Sequence, residues 1–278
     1  MSLRNIVSVS GGKDSVATWL WAKRTGLNPV AVYQDTRWEH PDHYKHLDLL
    51  EARIGPIIRI QAERGYPELV RHKGTFSSRV RKWCTEELKL KPFRAWLDAY
   101  RDANSCDVHV LLGIRWDESE KRESAVEREW SDFYDCEVWR PILAWTVEDV
   151  IAEHRRAAIP MHPLYHAGAN RVGCWPCVEA GKEELALVAE LTPERVDEIR
   201  AIEAEIGQTM FTEDRRTQKR RLERAGVEDP GPSLVPAGID KVMEWARTSY
   251  GGKQFQLFRN PSGCARWGVC EKPPKGEP

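Results

Sequence analysis

A β-branched run leads into two glycines and a Lys-Asp pair at positions 6–15, Ile-Val-Ser-Val-Ser-Gly-Gly-Lys-Asp-Ser. This order predicts a strand, a turn at Gly11 and Gly12, and a helix that begins near Lys13. Glycines let backbone N–H groups face an anion at close range, and a helix N-terminus adds unpaired donors and the positive end of the helix dipole. The spacing therefore predicts a phosphate-binding loop.

The loop differs from two widespread nucleotide-binding patterns. A Walker A loop has Gly five positions before its last Gly and Ser or Thr after its Lys, whereas this chain has Val7 and Asp14 there. The GxGxxG pattern of dinucleotide-binding dehydrogenases is absent as well. Taken alone, the residues leave open the alternative of an ordinary Gly-Gly turn.

Cysteine is the other residue type that could bind a metal or act as a reactive thiol. The chain has seven cysteines, at positions 84, 106, 136, 174, 177, 264 and 270. Their odd number and wide spacing argue against a disulfide framework and favour metal ligands or reactive thiols. Cys174 and Cys177 form a CxxC pair that could bind one metal centre together with ligands from distant positions in the sequence. Cys106 and Cys136 stand alone, and we expect them to be buried core residues.

Predicted strands and helices alternate along the first half of the chain, and these elements position the residues named above. Short β-branched runs predict strands at 5–10, 29–33, 57–60 and 108–114. The stretches between them have apolar residues at helical spacing, and Thr146 with Asp149 predicts a capped helix start. We therefore expect an α/β fold, a parallel sheet with helices on both faces, whose strand C-terminal ends bring the motifs together.

The second half has a different pattern. Thr192 and Pro193 predict the start of a helix that ends at Gly207, and Ile239–Arg247 predicts another. No strand pattern is evident in the charge-rich stretch between them. The sequence thus predicts a nucleotide-binding domain at 1–180 and a mainly helical C-terminal extension with a cysteine-containing tail at 181–278.

The composition of the chain limits the classes of protein to which it can belong. The 278 residues suffice for a full core, and 42 Lys and Arg against 43 Asp and Glu argue against nucleic-acid binding by bulk charge. Residues 213–224 carry six positive and three negative charges, so they could follow a nucleic-acid backbone, although a solvated helix face is the favoured interpretation. No apolar run is long enough for a membrane span, and we expect a cytoplasmic protein without a membrane partner.

The Ser10–Ser15 hexapeptide resembles the pyrophosphate loop (PP-loop) of the N-type ATP pyrophosphatases. Further motifs narrow the resemblance: 35–41 (DTRWEHP), 113–119 (GIRWDES) with Arg122, and 140–142 with 145–150. Together these motifs cover about residues 5–180, and they resemble the phosphoadenosine phosphosulfate (PAPS) reductase family. The resemblance implies an adenine nucleotide α-hydrolase-like (PP-loop) fold.

The resemblance also implies roles for individual residues. Those expected around the phosphates are Ser8, Ser10, Gly11, Gly12, Lys13, Asp14 and Ser15. Asp35 and Gly113 would line the adenosine pocket, and Arg115 and Arg122 suit phosphate or sulfate oxygens. The implied catalytic residues are Lys13, Asp14, Arg115, Arg122 and the tail cysteine Cys264. Because the loop is intact, we favour ATP with Mg²⁺ over PAPS as the ligand.

A four-thiolate metal centre follows from the same resemblance, with ligands Cys84, Cys174, Cys177 and Cys270. Spacing alone favours zinc, whereas the resemblance places a [4Fe-4S] cluster above zinc. Cluster-bearing reductases have adjacent cysteines where this chain has Trp83-Cys84, and they end in a Glu-Cys-Gly-x-His motif that is absent here. Both departures weaken the prediction of a simple reductase, and Cys264 is then left as a nucleophile or sulfur carrier.

The function expected from these features is ATP binding and reaction at the α-phosphate, in sulfur transfer or in thiolation of a nucleic acid or small molecule. A true PAPS or adenosine phosphosulfate (APS) reductase that uses a tail thiol is the first alternative. A non-catalytic nucleotide-binding module of a larger nucleoprotein assembly is the second. The expected partner is an adenine nucleotide, while a sulfur donor protein and a homodimer stay open.

Overall fold

The computed structural model describes residues 2–118, 120–212, 223–224, 226, 228 and 236–248. The strands are β1 (Ser2–Ser8), β2 (Val30–Asp35), β3 (Ile57–Gln61), β4 (Cys106–Leu112), β5 (Arg128–Ser131), β6 (Cys136–Trp139), β7 (Phe211–Thr212) and β8 (Pro236–Ala237). The helices are α1 (Lys13–Arg24), α2 (Pro41–Ile54), α3 (Tyr66–Lys73), α4 (Trp83–Thr85), α5 (Lys91–Asn104), α6 (Glu120–Glu123), α7 (Val147–Arg156), α8 (Pro163–Ala167), α9 (Lys182–Leu191), α10 (Pro193–Ile206) and α11 (Ile239–Arg247). A π-helical turn at Glu86–Leu90 precedes α5, and a 3-10 turn occupies Trp116–Glu118.

Contacts divide the chain into two units. Among the described residues, the sheet unit comprises 2–65 and 85–175, and the helical unit comprises 66–84 and the residues from 176 onward. The predicted domain boundary between residues 180 and 181 stays a prediction. None of the described helices is long and apolar enough to cross a membrane.

The sheet unit contains a six-stranded sheet in the order β3-β2-β1-β4-β6-β5. Its first five strands are parallel, and β5 pairs antiparallel with β6 at the edge. The chain moves outward from β1 to β3 and then returns to the other side of β1 as β4. Ligands of open α/β sheets bind where the strand order reverses in this way, which is at the C-terminal ends of β1 and β4.

Both faces of the sheet are covered by helices, because successive residues of each buried strand point to opposite faces. On one face, Val7 packs with Trp19 of α1 and Leu47 of α2. On the other face, Ile6 packs with Phe93 and Leu97 of α5. The predicted α/β fold with helices on both faces is confirmed.

The four predicted strands are present, with their ends shifted by a few residues. The hairpin of β5 and β6 was not predicted, because β5 is Arg-Glu-Trp-Ser and lies largely exposed, so no alternating apolar pattern marks it. The predicted start of α7 is confirmed: the Asp149 amide donates to Thr146 Oγ1 at 3.2 Å, and the Thr146 amide donates to the Asp149 carboxylate at 2.9 Å.

The helical unit is built on α3, α9, α10 and α11, which confirms a mainly helical C-terminal part. Its core includes Val188, Ile199 and Ile239, all fully buried. Thr192 does not cap α10 with its side chain and instead donates to the Val188 carbonyl at 3.1 Å. The short β7–β8 pair, which lacks any apolar alternation, was not predicted.

Candidate functional site

The predicted phosphate loop connects β1 to α1. Gly11 has φ +71°, a left-handed conformation that favours glycine, and a Cβ there would lie 2.6 Å from His43 Cε1. The Ser10 amide donates to Ser15 Oγ at 3.0 Å, and Ser15 Oγ donates to the Gly12 carbonyl at 3.0 Å. These hydrogen bonds hold the loop tightly around the start of α1.

Three charged side chains are buried together beside this loop. Lys13 Nζ lies 2.7 Å from Asp14 Oδ2, and Arg115 Nε lies 2.6 Å from Asp14 Oδ1. Arg115 also contacts Asp117 Oδ1 at 2.6 Å. Burial acts to lower the pKa of Arg115, but the Asp14 and Asp117 carboxylates outweigh that effect, so the pKa is raised. Two cations face Asp14, whose side chain is 12% exposed, and Asp117, whose side chain is 56% exposed, so positive charge is in excess in the buried part of the cluster and suits an anionic ligand.

Gly113 lies directly after β4 and packs against the beginning of α1. A Cβ at this position would lie 2.6 Å from the Asp14 carbonyl oxygen and 2.7 Å from Ser15 Cα. Because both neighbours are backbone atoms, no side chain fits without moving the helix. The close approach brings Arg115, two residues further on, onto Asp14.

Asp35 and its neighbours form a polar network at the C-terminal end of β2. Asp35 Oδ1 accepts from the Arg37 amide at 2.8 Å and from the Tyr44 hydroxyl at 2.9 Å. Thr36 Oγ1 donates to Glu39 Oε1 at 2.7 Å, and burial raises the pKa of Glu39. The network fixes the turn after β2, and contact of Asp35 with adenosine stays a prediction.

Two other predicted residues contact groups outside the loop. Arg122 pairs with Glu118, whose carboxylate also accepts from the Arg115 amide at 2.9 Å. Ser8 Oγ donates to Gln34 Oε1 at 3.1 Å, toward β2. Their roles at the phosphates stay predictions.

Sequence reasoning missed several residues that contact the loop. Tyr165 of α8 accepts a hydrogen bond from the Lys13 amide at 3.2 Å, and His154 Nε2 lies 2.9 Å from the Lys13 carbonyl oxygen. His43 Nδ1 lies 3.3 Å from His162 Nε2. For His43 and His154 the available signal was a polar residue within a predicted helix, whereas no signal in the sequence pointed to Tyr165 and His162.

The described cysteines carry free thiols. Cys106 and Cys136 are buried, as predicted, and burial raises the pKa of Cys136. The thiol of Cys174 lies 3.7 Å from Thr36 Oγ1, and the Cys177 thiol accepts from the Glu179 amide at 3.5 Å.

The metal centre has no support from the part of the chain that the structure describes. There, no three His, Cys, Asp or Glu side chains are grouped as a metal site requires. Cys264 and Cys270 lie outside the described residues, as does most of the basic stretch 213–224. The four-thiolate centre stays a prediction, and the reaction proposed below uses no metal cluster.

The residues at the loop do not form a resident Mg²⁺ site. Asp14 is the carboxylate next to the loop, and its two oxygens already contact the cations of Lys13 and Arg115. Mg²⁺ in nucleotide enzymes is commonly held by one or two carboxylates together with substrate phosphates. The described side chains alone do not supply such a set.

Comparison with known proteins adds three findings. The family model of the phosphoadenosine phosphosulfate reductase domain matches residues 4–180. An uncharacterized 37.8 kDa protein of Escherichia phage 186 is 31% identical over 331 aligned positions, which cover 96% of each chain. The adenosine 5'-phosphosulfate reductase of Allochromatium vinosum is 32% identical over 179 positions, or 61% of this chain and 66% of that one.

One solved structure is similar in fold at low sequence identity. It is the phosphoadenylyl-sulfate reductase of Candida auris, with 17% identity, a TM-score of 0.48, and coverage of 62% of this chain and 81% of that one.

Proposed function

The chain belongs to the phosphoadenosine phosphosulfate reductase domain family, and from that premise we propose that it binds ATP and reacts at the α-phosphate. The pyrophosphate loop would hold the leaving pyrophosphate, and the activated acceptor would serve a sulfur-transfer or thiolation reaction. The observation that carries this proposal is the intact Ser10–Ser15 loop with Lys13 and Arg115 converging on one carboxylate at the reversal of strand order.

Phosphate binding would use groups that are already fixed. The Lys13 amide donates to Tyr165, while the next amides of α1 lack intrahelical acceptors and suit phosphate oxygens. Lys13 and Arg115 would leave part of their contact with Asp14 and neutralise the charge that develops on the pyrophosphate. Preorganised donors of this kind stabilise a transition state without reorganisation at the moment of reaction.

The proposed step is a substitution at the α-phosphorus. A bond forms between an acceptor oxygen and the α-phosphorus, and the bond from that phosphorus to the oxygen bridging to the β-phosphate breaks. Pyrophosphate takes the electron pair, and the acceptor loses its proton to solvent. A sulfur nucleophile then displaces AMP from the adenylated acceptor. Mg²⁺ that arrives with the nucleotide would neutralise phosphate charge during this step.

A second candidate function, reduction of APS or PAPS, is favoured by the similarity to adenosine 5'-phosphosulfate reductases. In that reaction a tail thiolate, for which Cys264 is the candidate, would attack the sulfur, form an S-sulfonate and displace the nucleotide, AMP from APS or adenosine 3',5'-bisphosphate from PAPS. A second thiol would then attack the cysteine sulfur, form a disulfide and release sulfite. If a [4Fe-4S] cluster or zinc is bound, the candidate ligands are Cys84, Cys174, Cys177 and Cys270.

The two candidates are separated by offering the purified chain ATP with Mg²⁺, PAPS and APS in parallel under anaerobic conditions. The assays contain a dithiol, which supplies the second thiol needed for sulfite release. With water as the acceptor oxygen, we expect AMP and pyrophosphate from ATP, and no sulfite from PAPS or APS. Lys13→Gln should abolish turnover, while Lys45→Gln, at a lysine with a 77% exposed side chain, should leave turnover unchanged. ADP and phosphate as products, or sulfite release, would reject the first candidate.

A further inference from the structure

The short helix α8 packs directly on the phosphate loop. It follows His162, whose Nδ1 accepts a hydrogen bond from the Leu164 amide at 3.1 Å. Its Tyr165 side chain is only 2% exposed, although the phenol carries a polar group. The His-Pro-Leu-Tyr segment at 162–165 thus places a buried polar side chain against the loop.

The hydroxyl of Tyr165 lies at the N-terminus of α1. It accepts from the Lys13 amide at 3.2 Å and lies 3.4 Å from the place that a Cβ on Gly12 would take. The Lys13 Nζ is 5.8 Å from the centroid of the phenol ring. The phenol therefore takes the first amide of α1 and lies beside the cation of Lys13.

The hydroxyl proton of Tyr165 has no acceptor among the described residues. Its oxygen accepts from Lys13, but no acceptor for its own proton lies within hydrogen-bond distance in that part of the chain. Burial raises the pKa of Tyr165, so the phenol keeps its proton at neutral pH. A buried donor without an acceptor is costly unless a ligand satisfies it.

Tyr165 is fixed in place rather than poised to swing away. His162 at one side of α8 lies against His43, with 3.3 Å between the ring nitrogens, and the His43 ring fills the space over Gly11. At the other side, the Tyr165 hydroxyl is bound to the Lys13 amide. Since both contacts lead back to the loop, α8 cannot retract without disturbing the loop itself.

We propose that Tyr165 is a phosphate-binding residue, whose hydroxyl accepts from the Lys13 amide and donates its proton to an oxygen of the pyrophosphate moiety above Gly12. This inference rests on the proposed nucleotide-binding function and adds a side-chain donor from a segment about 150 residues away. The hydrogen bond is made to a charged oxygen, for which the expected loss on removal is about 10- to 100-fold in affinity.

The test is calorimetric titration of the full chain with inorganic pyrophosphate. Tyr165→Phe should bind about 10- to 100-fold more weakly than the wild type. Tyr33→Phe is the matched control, because the buried Tyr33 hydroxyl has no hydrogen-bond partner in the described structure and should not alter binding. The melting temperature of each variant without ligand reports any loss of folding.

The outcomes are distinct. Equal or tighter binding by Tyr165→Phe would overturn the proposal, and tighter binding would identify the hydroxyl as a competitor of phosphate. If the wild type binds neither pyrophosphate nor ATP, the proposed function fails and this inference fails with it. If Tyr165→Phe does not fold, 3-fluorotyrosine at position 165 replaces it: its ¹⁹F resonance should shift on addition of pyrophosphate, and an unchanged resonance would reject direct contact.

Discussion

The guanidinium of Arg115 and the carboxylate of Asp14 form a buried ion pair, with Nε 2.6 Å from Oδ1. The pair joins the end of β4 to the first turn of α1, across the point where strand order reverses. Asp14 also contacts Lys13, so one carboxylate holds two cations whose side chains are only 3% and 7% exposed. We expect removal of that carboxylate to destabilise the folded chain and to strengthen the binding of an anion.

Asp14→Ala should lower the free energy of unfolding by about 3 kcal/mol, because it removes the buried carboxylate that both Lys13 and Arg115 contact, while Arg115 keeps its contact with Asp117. Pyrophosphate should restore part of this loss, since the anion replaces the missing charge. Urea unfolding with and without pyrophosphate measures both effects.

Asp98→Ala is the control: its side chain is 45% exposed, its partners Arg94 and Arg101 keep the carbonyl acceptors of Phe133 and Tyr134, and the loss should stay within about 1 kcal/mol. Equal losses in the two variants would contradict a buried role for Asp14.

Gly113→Ala should destabilise the chain by about 1–3 kcal/mol and weaken ATP binding, because the new Cβ would meet the Asp14 carbonyl oxygen at 2.6 Å. Thermal unfolding and ATP titration are the measurements. Gly181→Ala is the control, at φ −84° and with no atom within 4 Å of the added carbon. If Gly113→Ala binds ATP as the wild type does, the close approach is not needed for the site.

Local sequence signals predicted much of the fold. The β1–loop–α1 segment, the capped start of α7 and the bounds of α11 depend on neighbouring residues, and all are present. The β5–β6 hairpin was not predictable in this way, because Trp130 at its exposed edge is 62% accessible and no apolar alternation marks the strand. Pairing of such a strand depends on the neighbouring β6 rather than on its own pattern.

The site was predictable only in part. Lys13, Asp14 and Arg115 follow strands, and the rule that ligands collect at strand C-terminal ends predicts their meeting. Tyr165 and His43 come from helices, and their contacts with the loop join segments distant in sequence. His43 lies one turn before the apolar stripe of α2, but no helix was predicted at Tyr165, and only tertiary packing decides which polar groups the two residues meet.

Acid should destabilise the chain through its buried histidines. Burial lowers the pKa of His43 to about 3, that of His46 to about 4 and that of His162 to about 2. Between pH 6.5 and about 4, the unfolded chain therefore binds protons that the folded chain does not, and stability falls as pH falls. Each histidine contributes up to about 1.4 kcal/mol per pH unit in this window.

The pH prediction is measured by urea unfolding of the wild type at pH 7 and pH 5. His46→Leu should reduce the difference between the two free energies, because it removes one titrating group whose Nε2 has no hydrogen-bond partner among the described residues. His166→Gln, at an exposed histidine of α8, should keep the wild-type difference. A wild type that is equally stable at both pH values would refute the assignment of neutral buried imidazoles.

Cys177→Ser tests the predicted four-thiolate centre. If Cys177 is a ligand, wild-type chain purified anaerobically should contain stoichiometric iron or zinc, and the variant should lose both the metal and any visible absorption. Because the free energy of metal binding becomes folding free energy when no preformed site exists, the variant should also melt at a lower temperature. Cys136→Ala is the control, at a buried thiol in the sheet core, and should keep the metal. Full metal content in Cys177→Ser, or a wild type without metal, would show that Cys174 and Cys177 serve as thiols rather than as ligands.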